Sequence, residues 1–480
     1  MADQCSAFGR DGVVCAAAPL AAQAGAAALR NGGNAYDAVI AAALAETVLL
    51  PPKCGFGGDL IAIRVAGGAA APDALLAIGG APSGLAAVAR AGTWRDVGPM
   101  SVGPPAAAHG YAALASLGRL GRARLAAPAI DLAVNGFAWA AVCTRLAEQA
   151  ASLVHEMNPD GCEYYPDGEP IAPGTLTRLP RLAALLHEFV GLGAGLMDGA
   201  VGRAVVAAVR SRGGVLSEPD FAHARAEWAP CVSGHLATPA GDVSTWATPA
   251  PTHWPSLLDA VSGLGATDLT QSALMREVLR AISARRSNLS DPSGTSMVSA
   301  ADADGNVVVL VHSNSFPRFG SGIVVPEYSL TLANRAGRGF TPEVGHPNFP
   351  VAGRRPATTL HAWAVADLDG SPRFVGATPG GTNQMPWNAQ TIARIAQGVT
   401  RPGILVASPI WELLPDDDGL RIEGGFAAAD VDALRSLAVR TVDAPRRGCK
   451  SAQQVVRVPR GEEPWVAAAD PRTVGLALGV

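Results

Sequence analysis

The chain lacks the signals of several protein classes. It has no dense Lys/Arg stripe and a formal net charge of −4, so it has no general attraction to nucleic-acid phosphates. No apolar run is long enough to span a bilayer, and Met1 to Arg10 has no basic head followed by an apolar stretch. These absences set the expectation of a cytoplasmic protein with neither a membrane nor a nucleic-acid partner. The seven cysteines, Cys5, Cys15, Cys54, Cys143, Cys162, Cys231 and Cys449, are scattered, odd in number and never spaced C-x-x-C, which favours lone thiols over disulfides or a zinc centre. Asp302-Ala303-Asp304-Gly305-Asn306 lacks the downstream glutamate of a calcium loop and reads as a hairpin turn. Gly55-Phe56-Gly57-Gly58 follows an apolar helix rather than a strand, with the wrong spacing for a dinucleotide loop. Neither cofactor nor metal is expected.

What is present is the material of a large core: 480 residues, 49% hydrophobic and 16% charged. Length alone suggests two to four domains, yet no repeat or low-complexity linker divides the chain. Residues 12 to 16 read as a strand, and Pro19 suits the start of a helix running to Arg30, stopped by Asn31-Gly32-Gly33. Asn34 is a cap for the next helix, 35 to 50, which is apolar almost all round and therefore expected to be buried. Its only charges, Asp37 and Glu46, read as a cap or a partnered structural acid. Residues 101 to 146 read as helix-rich, and 159 to 180 as a loop whose Tyr164 and Tyr165 pack against the body. Beyond Thr295, β-branched alternation marks strands at 307 to 311, 322 to 325, 360 to 366 and 373 to 377. His312 and His361 stand alone in such segments and read as hydrogen-bonded structural histidines.

Several motifs fall in one order. Gly12-Val13-Val14-Cys15-Ala16 with Asn31-Gly32-Gly33-Asn34-Ala35-Tyr36-Asp37-Ala38 comes first, then Cys54-Gly55-Phe56-Gly57-Gly58-Asp59. Gly294-Thr295, Gly353-Arg354-Arg355-Pro356-Ala357-Thr358-Thr359, Thr378-Pro379-Gly380-Gly381 and Ala469-Asp470-Pro471-Arg472 follow. Together they resemble the γ-glutamyltranspeptidase family over nearly the full length. The resemblance implies an α+β fold, the four-layer αββα sandwich of N-terminal-nucleophile hydrolases, cut between Gly294 and Thr295. The products would be a helix-rich fragment 1–294 contributing outer sheet strands and a strand-rich fragment 295–480, together forming one domain.

The chemistry accounts for the cut. A threonine hydroxyl is a weak nucleophile, and a free α-amino group with a pKa of about 8 can serve as its base. Glycine at 294 admits the strained backbone that exposes its carbonyl to the hydroxyl. The resemblance then implies Thr295 as nucleophile, Ser313 as a supporting hydroxyl, and Gly380 and Gly381 as oxyanion donors at a strand-to-helix junction. Asn314 takes the family's asparagine role within a lengthened segment, with Ser315 beside it, and Thr358 and Thr359 match hydroxyls that hold a substrate carboxylate.

The resemblance also has gaps. Ala87 stands where the family's carboxylate-binding arginine would be, with Arg90 three residues on, and Gly339 stands where an acid would bind the substrate ammonium. Arg335 and Arg338 flank that gap and would repel an ammonium and attract an acidic group. The expectation is an acyl hydrolase or transferase with a small, carboxylate-bearing acyl substrate other than a standard γ-glutamyl compound. Two alternatives stand beside it: an amide or C–C hydrolase of a natural-product pathway, of the kind that makes alkylproline units, and an unprocessed scaffold, since Met297 replaces a family histidine.

Overall fold

The computed structural model describes residues 5–239, 241–265, 268–283, 294–316, 318–414 and 419–480. Two seven-stranded, wholly antiparallel sheets organise them. The first runs in the order Ser6–Gly9, Trp465–Ala469, Gln454–Arg457, Pro372–Ala377, Ala362–Ala366, Val243–Ala247, Val232–Leu236. The second runs Leu476–Gly479, Gly12–Ala16, Thr295–Asp302, Val307–Ser313, Asp59–Val65, Asp73–Ala77, Ala226–Pro230.

Side-chain alternation assigns the layers. Cys15, Ile61, Ile63, Met297, Val309 and Val311 of the second sheet meet Ala362, Ala364, Val375, Ala377 and Val456 of the first in one inter-sheet core. The alternate residues Val14, Leu60, Val298, Val308 and Leu310 pack under helices that include Pro19–Arg30, Ala35–Leu49 and Ala107–Ala115. Trp363, Val365 and Phe374 turn outward to Trp254–Ser262, Gln271–Ser283 and Gln384–Ala396. Helix, sheet, sheet, helix is therefore the order of layers, as the resemblance implies, and both 1–294 and 295–480 supply strands to each sheet.

Helix Ala35–Leu49 is buried along its whole length, and the Asn34 side chain and Asp37 form a reciprocal capping box at its start. The strands Thr295–Asp302 and Val307–Ser313 are joined by the expected turn. There Asp302 Oδ1 accepts from the N–H groups of Asp304 and Asn306, while Gly305 takes φ +88°. That turn sets the register that puts Thr295 opposite Ser313. Tyr164 and Tyr165 are packed, their hydroxyls donating to the carbonyls of Ser329 and Ala147. The strand expected at 322 to 325 is only Val324–Val325, because Gly320 and Gly322 take positive φ and the Ser321 hydroxyl turns the chain onto the Leu332 carbonyl. All seven cysteines are free thiols. No single helix among the described residues is long and apolar enough to cross a membrane.

Candidate active site

Thr295 opens a central strand of the second sheet on its inter-sheet face, buried beside an equally buried Ser313. The Ser313 hydroxyl donates to the Gly294 carbonyl at 2.7 Å and accepts from the Ser315 N–H at 2.9 Å. Serine has one proton, and the Gly294 carbonyl takes it. The Thr295 hydroxyl, 2.9 Å from Ser313 Oγ, is therefore the donor in that contact. The Thr295 hydroxyl, the Ser313 hydroxyl and the Gly294 carbonyl are thus joined in one directed chain of hydrogen bonds.

The backbone around this triangle tolerates no substitution at 294. A Cβ on Gly294 would lie 1.4 Å from the Ser315 carbonyl oxygen, and Ser315 holds a left-handed φ of +67°. Ser293 lies outside the described residues. Gly58 is similarly constrained, since a Cβ there would approach the Ser313 carbonyl to 2.2 Å.

Asp59 is the register partner of Ser313 on the neighbouring strand. Its Oδ2 accepts from Arg335 Nε at 2.6 Å and its Oδ1 from the Gly79 N–H at 3.2 Å. Burial pushes the Asp59 carboxyl above its ordinary range, with Arg335 opposing that shift. Both arginines named as attracting an acidic group have carboxylates of the chain beside them. Arg335 faces Asp59, while Arg338 lies 3.5 Å from Asp96 and over the Phe316 ring at 5.1 Å. Asn314 is buried, with Nδ2 donating to the Pro51 carbonyl and its own N–H to that of Lys53, so these bonds anchor the 51–53 loop.

Gly380 and Gly381 follow the strand Pro372–Ala377, which packs across the inter-sheet space from Val307–Ser313. Their φ angles are +151° and +56°, and a Cβ on Gly380 would meet the Trp387 ring at 2.2 Å, so position 380 needs glycine and 381 favours it. Gln384, which no sequence signal had marked, joins this loop to the hydroxyl segment. Its amide donates to the carbonyls of Thr378 and Thr359 at 3.2 and 3.1 Å and accepts from the Gly381 N–H at 3.2 Å. Thr358 is buried, its N–H on the Pro251 carbonyl and its hydroxyl accepting from Leu360 N–H.

Behind Thr359 runs a buried ladder. Trp363 Nε1–H donates to Asn388 Oδ1 at 2.9 Å, which leaves the Asn388 amide nitrogen to donate to His361 Nε2 at 2.8 Å. His361 Nδ1–H then donates to the Thr359 carbonyl at 2.8 Å. The imidazole is neutral, because burial lowers its pKa from 6.5 to about 4 despite the Thr359 bond. His312 is also structural: Tyr111 hydroxyl lies 2.7 Å from its Nδ1 and Glu46 Oε2 2.9 Å from its Nε2, with Ala17 N–H on the other Glu46 oxygen. Glu46, Cys54 and His312 bring possible metal-ligand atoms within 4.8 Å of one another, but both histidine nitrogens already have partners.

The gaps in the resemblance have physical causes. A Cβ on Gly339 would come within 2.6 Å of Pro356 Cβ and 2.7 Å of the Ala357 carbonyl, so no acidic side chain fits there. Arg90 does not substitute for an arginine at 87; it lies over Phe349 at 5.5 Å.

Two facing antiparallel sheets between helical layers, with a hydroxyl residue at the mouth of a central strand, are the fold of the N-terminal-nucleophile hydrolases, and the family match makes the protein an enzyme. The structure aligns with cephalosporin acylase from Bacillus halodurans at TM-score 0.86 and 22% identity, covering 99% of this chain and 97% of that one. The chain belongs to the gamma-glutamyltranspeptidase family, whose model matches residues 21–293 and 280–480. It is 27% identical to the oxamate amidohydrolase proenzyme of Klebsiella pneumoniae, covering 98% of each chain. It is 24% identical to the glutathione hydrolase-like YwrD proenzyme of Bacillus subtilis, covering 96% of this chain and 97% of that one.

Proposed function

We propose that the chain cleaves itself before Thr295 and then hydrolyses or transfers an acyl group through a threonine ester. The observation that carries this reading is the triangle of Thr295 Oγ, Ser313 Oγ and the Gly294 carbonyl. As Thr295 Oγ bonds to the Gly294 carbonyl carbon, its proton passes to Ser313 and the Ser313 proton to the carbonyl oxygen. Collapse breaks the Gly294–Thr295 C–N bond, with the proton moving to nitrogen, and leaves an ester on Thr295. Water releases the Gly294 carboxylate, and the freed α-amine, with a pKa of about 8, becomes the base for later turnovers.

In the mature enzyme the Gly380–Gly381 loop would face the tetrahedral oxyanion, the Gly381 N–H exchanging its bond to the Gln384 amide oxygen for one to the oxyanion, while Gln384 keeps the loop against Thr359. Thr358 and Thr359, with Asn314 and Ser315, would frame the substrate, helped by Arg335 and Arg338 toward an acidic group. A standard γ-glutamyl compound is disfavoured because Ala87 cannot clamp its carboxylate and nothing at Gly339 can meet its ammonium. A relative named for oxamate amide hydrolysis supports an amide as the scissile bond.

p-Nitrophenyl acetate tests the nucleophile without knowledge of the substrate. An acetyl group trapped on residue 295 of the smaller fragment supports the reading; acetylation only elsewhere, or none, contradicts it.

A further inference from the structure

Thr295, Ser313 and Asp59 form a row. Thr295 is paired with Ser313, and Ser313 with Asp59, on three neighbouring antiparallel strands. Directly opposed residues share a face, and the flanking residues confirm which one: Met297, Val311 and Ile61 all lie in the inter-sheet core. The Asp59 carboxylate is therefore on the same side of the sheet as the nucleophile, and it holds the Arg335 guanidinium by its Nε edge.

Both Asp59 oxygens are occupied, one by Arg335 and one by the Gly79 N–H, so this acid orients the arginine rather than offering itself to a substrate ammonium. Arginine carries five N–H donors, and the Nη1/Nη2 edge is the one that grips a carboxylate in two parallel bonds. We propose that Arg335, seated on Asp59 at the end of the Thr295–Ser313 row, anchors a carboxylate of the acyl group, and that the substrate is the monoamide of a short dicarboxylic acid. This rests on the Thr295 reading above.

The row also limits length. Strands lie about 4.8 Å apart, so Thr295 and Asp59 are separated by about 10 Å of sheet. Attack at about 3 Å from Oγ, a hydrogen bond of about 3 Å at the arginine and the 2.6 Å contact of Arg335 with Asp59 take up most of that span, which favours a short acyl chain.

The test uses the full-length, self-cleaved protein and the monoamides of the two- to five-carbon dicarboxylic acids, each beside its methyl ester, with ammonia release as the readout. The expected result is a preference for the free carboxylates of roughly 10²-fold or more in kcat/KM, as for sites built to pair a polar group. Arg335→Lys should keep part of that preference. Asp59→Asn with Arg335→Gln, which removes the buried charges together, should abolish it. Equal turnover of acids and esters, or no turnover of any of them by an enzyme that self-cleaves and is acetylated at Thr295, would overturn the substrate class while leaving the nucleophile intact. A preference that survives undiminished in the self-cleaved Asp59→Asn/Arg335→Gln double variant would overturn the assignment of Arg335. A wild-type chain that never self-cleaves would overturn both readings.

Discussion

Ser313 has a single proton, and where that proton sits decides the direction of the whole hydrogen-bond chain. Ser313→Ala removes both the donor to the Gly294 carbonyl and the acceptor of the Thr295 proton, so self-cleavage should slow by roughly 10²–10³-fold, the usual loss for one positioned donor. A time course of fragment appearance on a denaturing gel checks this, and an unchanged rate would remove Ser313 from the chemistry. Gly294→Ala should be at least as informative, since its Cβ would lie 1.4 Å from the Ser315 carbonyl oxygen. The backbone must shift by more than an ångström to relieve that clash, and a misplacement of even one ångström costs roughly 10²-fold in rate, so the loss should be at least that large. At this scale the sequence was legible for Thr295, Ser313 and the paired glycines. It was silent on Asp59 as the partner of Arg335, because 276 residues separate the two and only the fold brings them together.

Among the elements, the strand Ala362–Ala366 and the helix Gln384–Ala396 hold the Thr359 backbone from behind through Trp363, Asn388 and His361. The folded pKa of His361, about 4, lies below the ordinary 6.5, so the unfolded chain takes up a proton that the native ladder refuses. Stability from this group is complete above pH 6.5 and is lost as pH falls toward 4, by on the order of 3 kcal/mol at 1.36 kcal/mol per unit. His361→Gln should flatten that part of the stability curve, measured by urea unfolding at several pH values. A variant whose acid limb matches the wild type would contradict the buried, neutral assignment. Most elements could be read from alternation and caps: the buried helix 35 to 49, the 302–306 turn and the strands beside it. Those that could not were governed by tertiary contacts. Positive-φ glycines cut short the strand expected at 322 to 325, and Gln384 acquires its role only by lying between two loops distant in sequence.

For the molecule as a whole, the segments before and after the proposed cut, 1–294 and 295–480, interleave. Strand Gly12–Ala16 sits between Leu476–Gly479 and Thr295–Asp302, and Val243–Ala247 pairs with Ala362–Ala366 in the other sheet. Separating the fragments would tear both sheets and expose the inter-sheet core. After cleavage they should co-elute at the mass of the intact chain in size exclusion and separate only in denaturant; two separate peaks under native conditions would contradict the shared-sheet architecture. In the proposed mechanism this fold presents Thr295 for its own release. Intact mass measured on freshly purified protein beside Thr295→Ala, with N-terminal sequencing of the smaller species, tests it most directly. The predicted result is two fragments, the smaller beginning at Thr295, and a single uncut chain in the variant; one uncut chain in both, or a cut elsewhere, would contradict it.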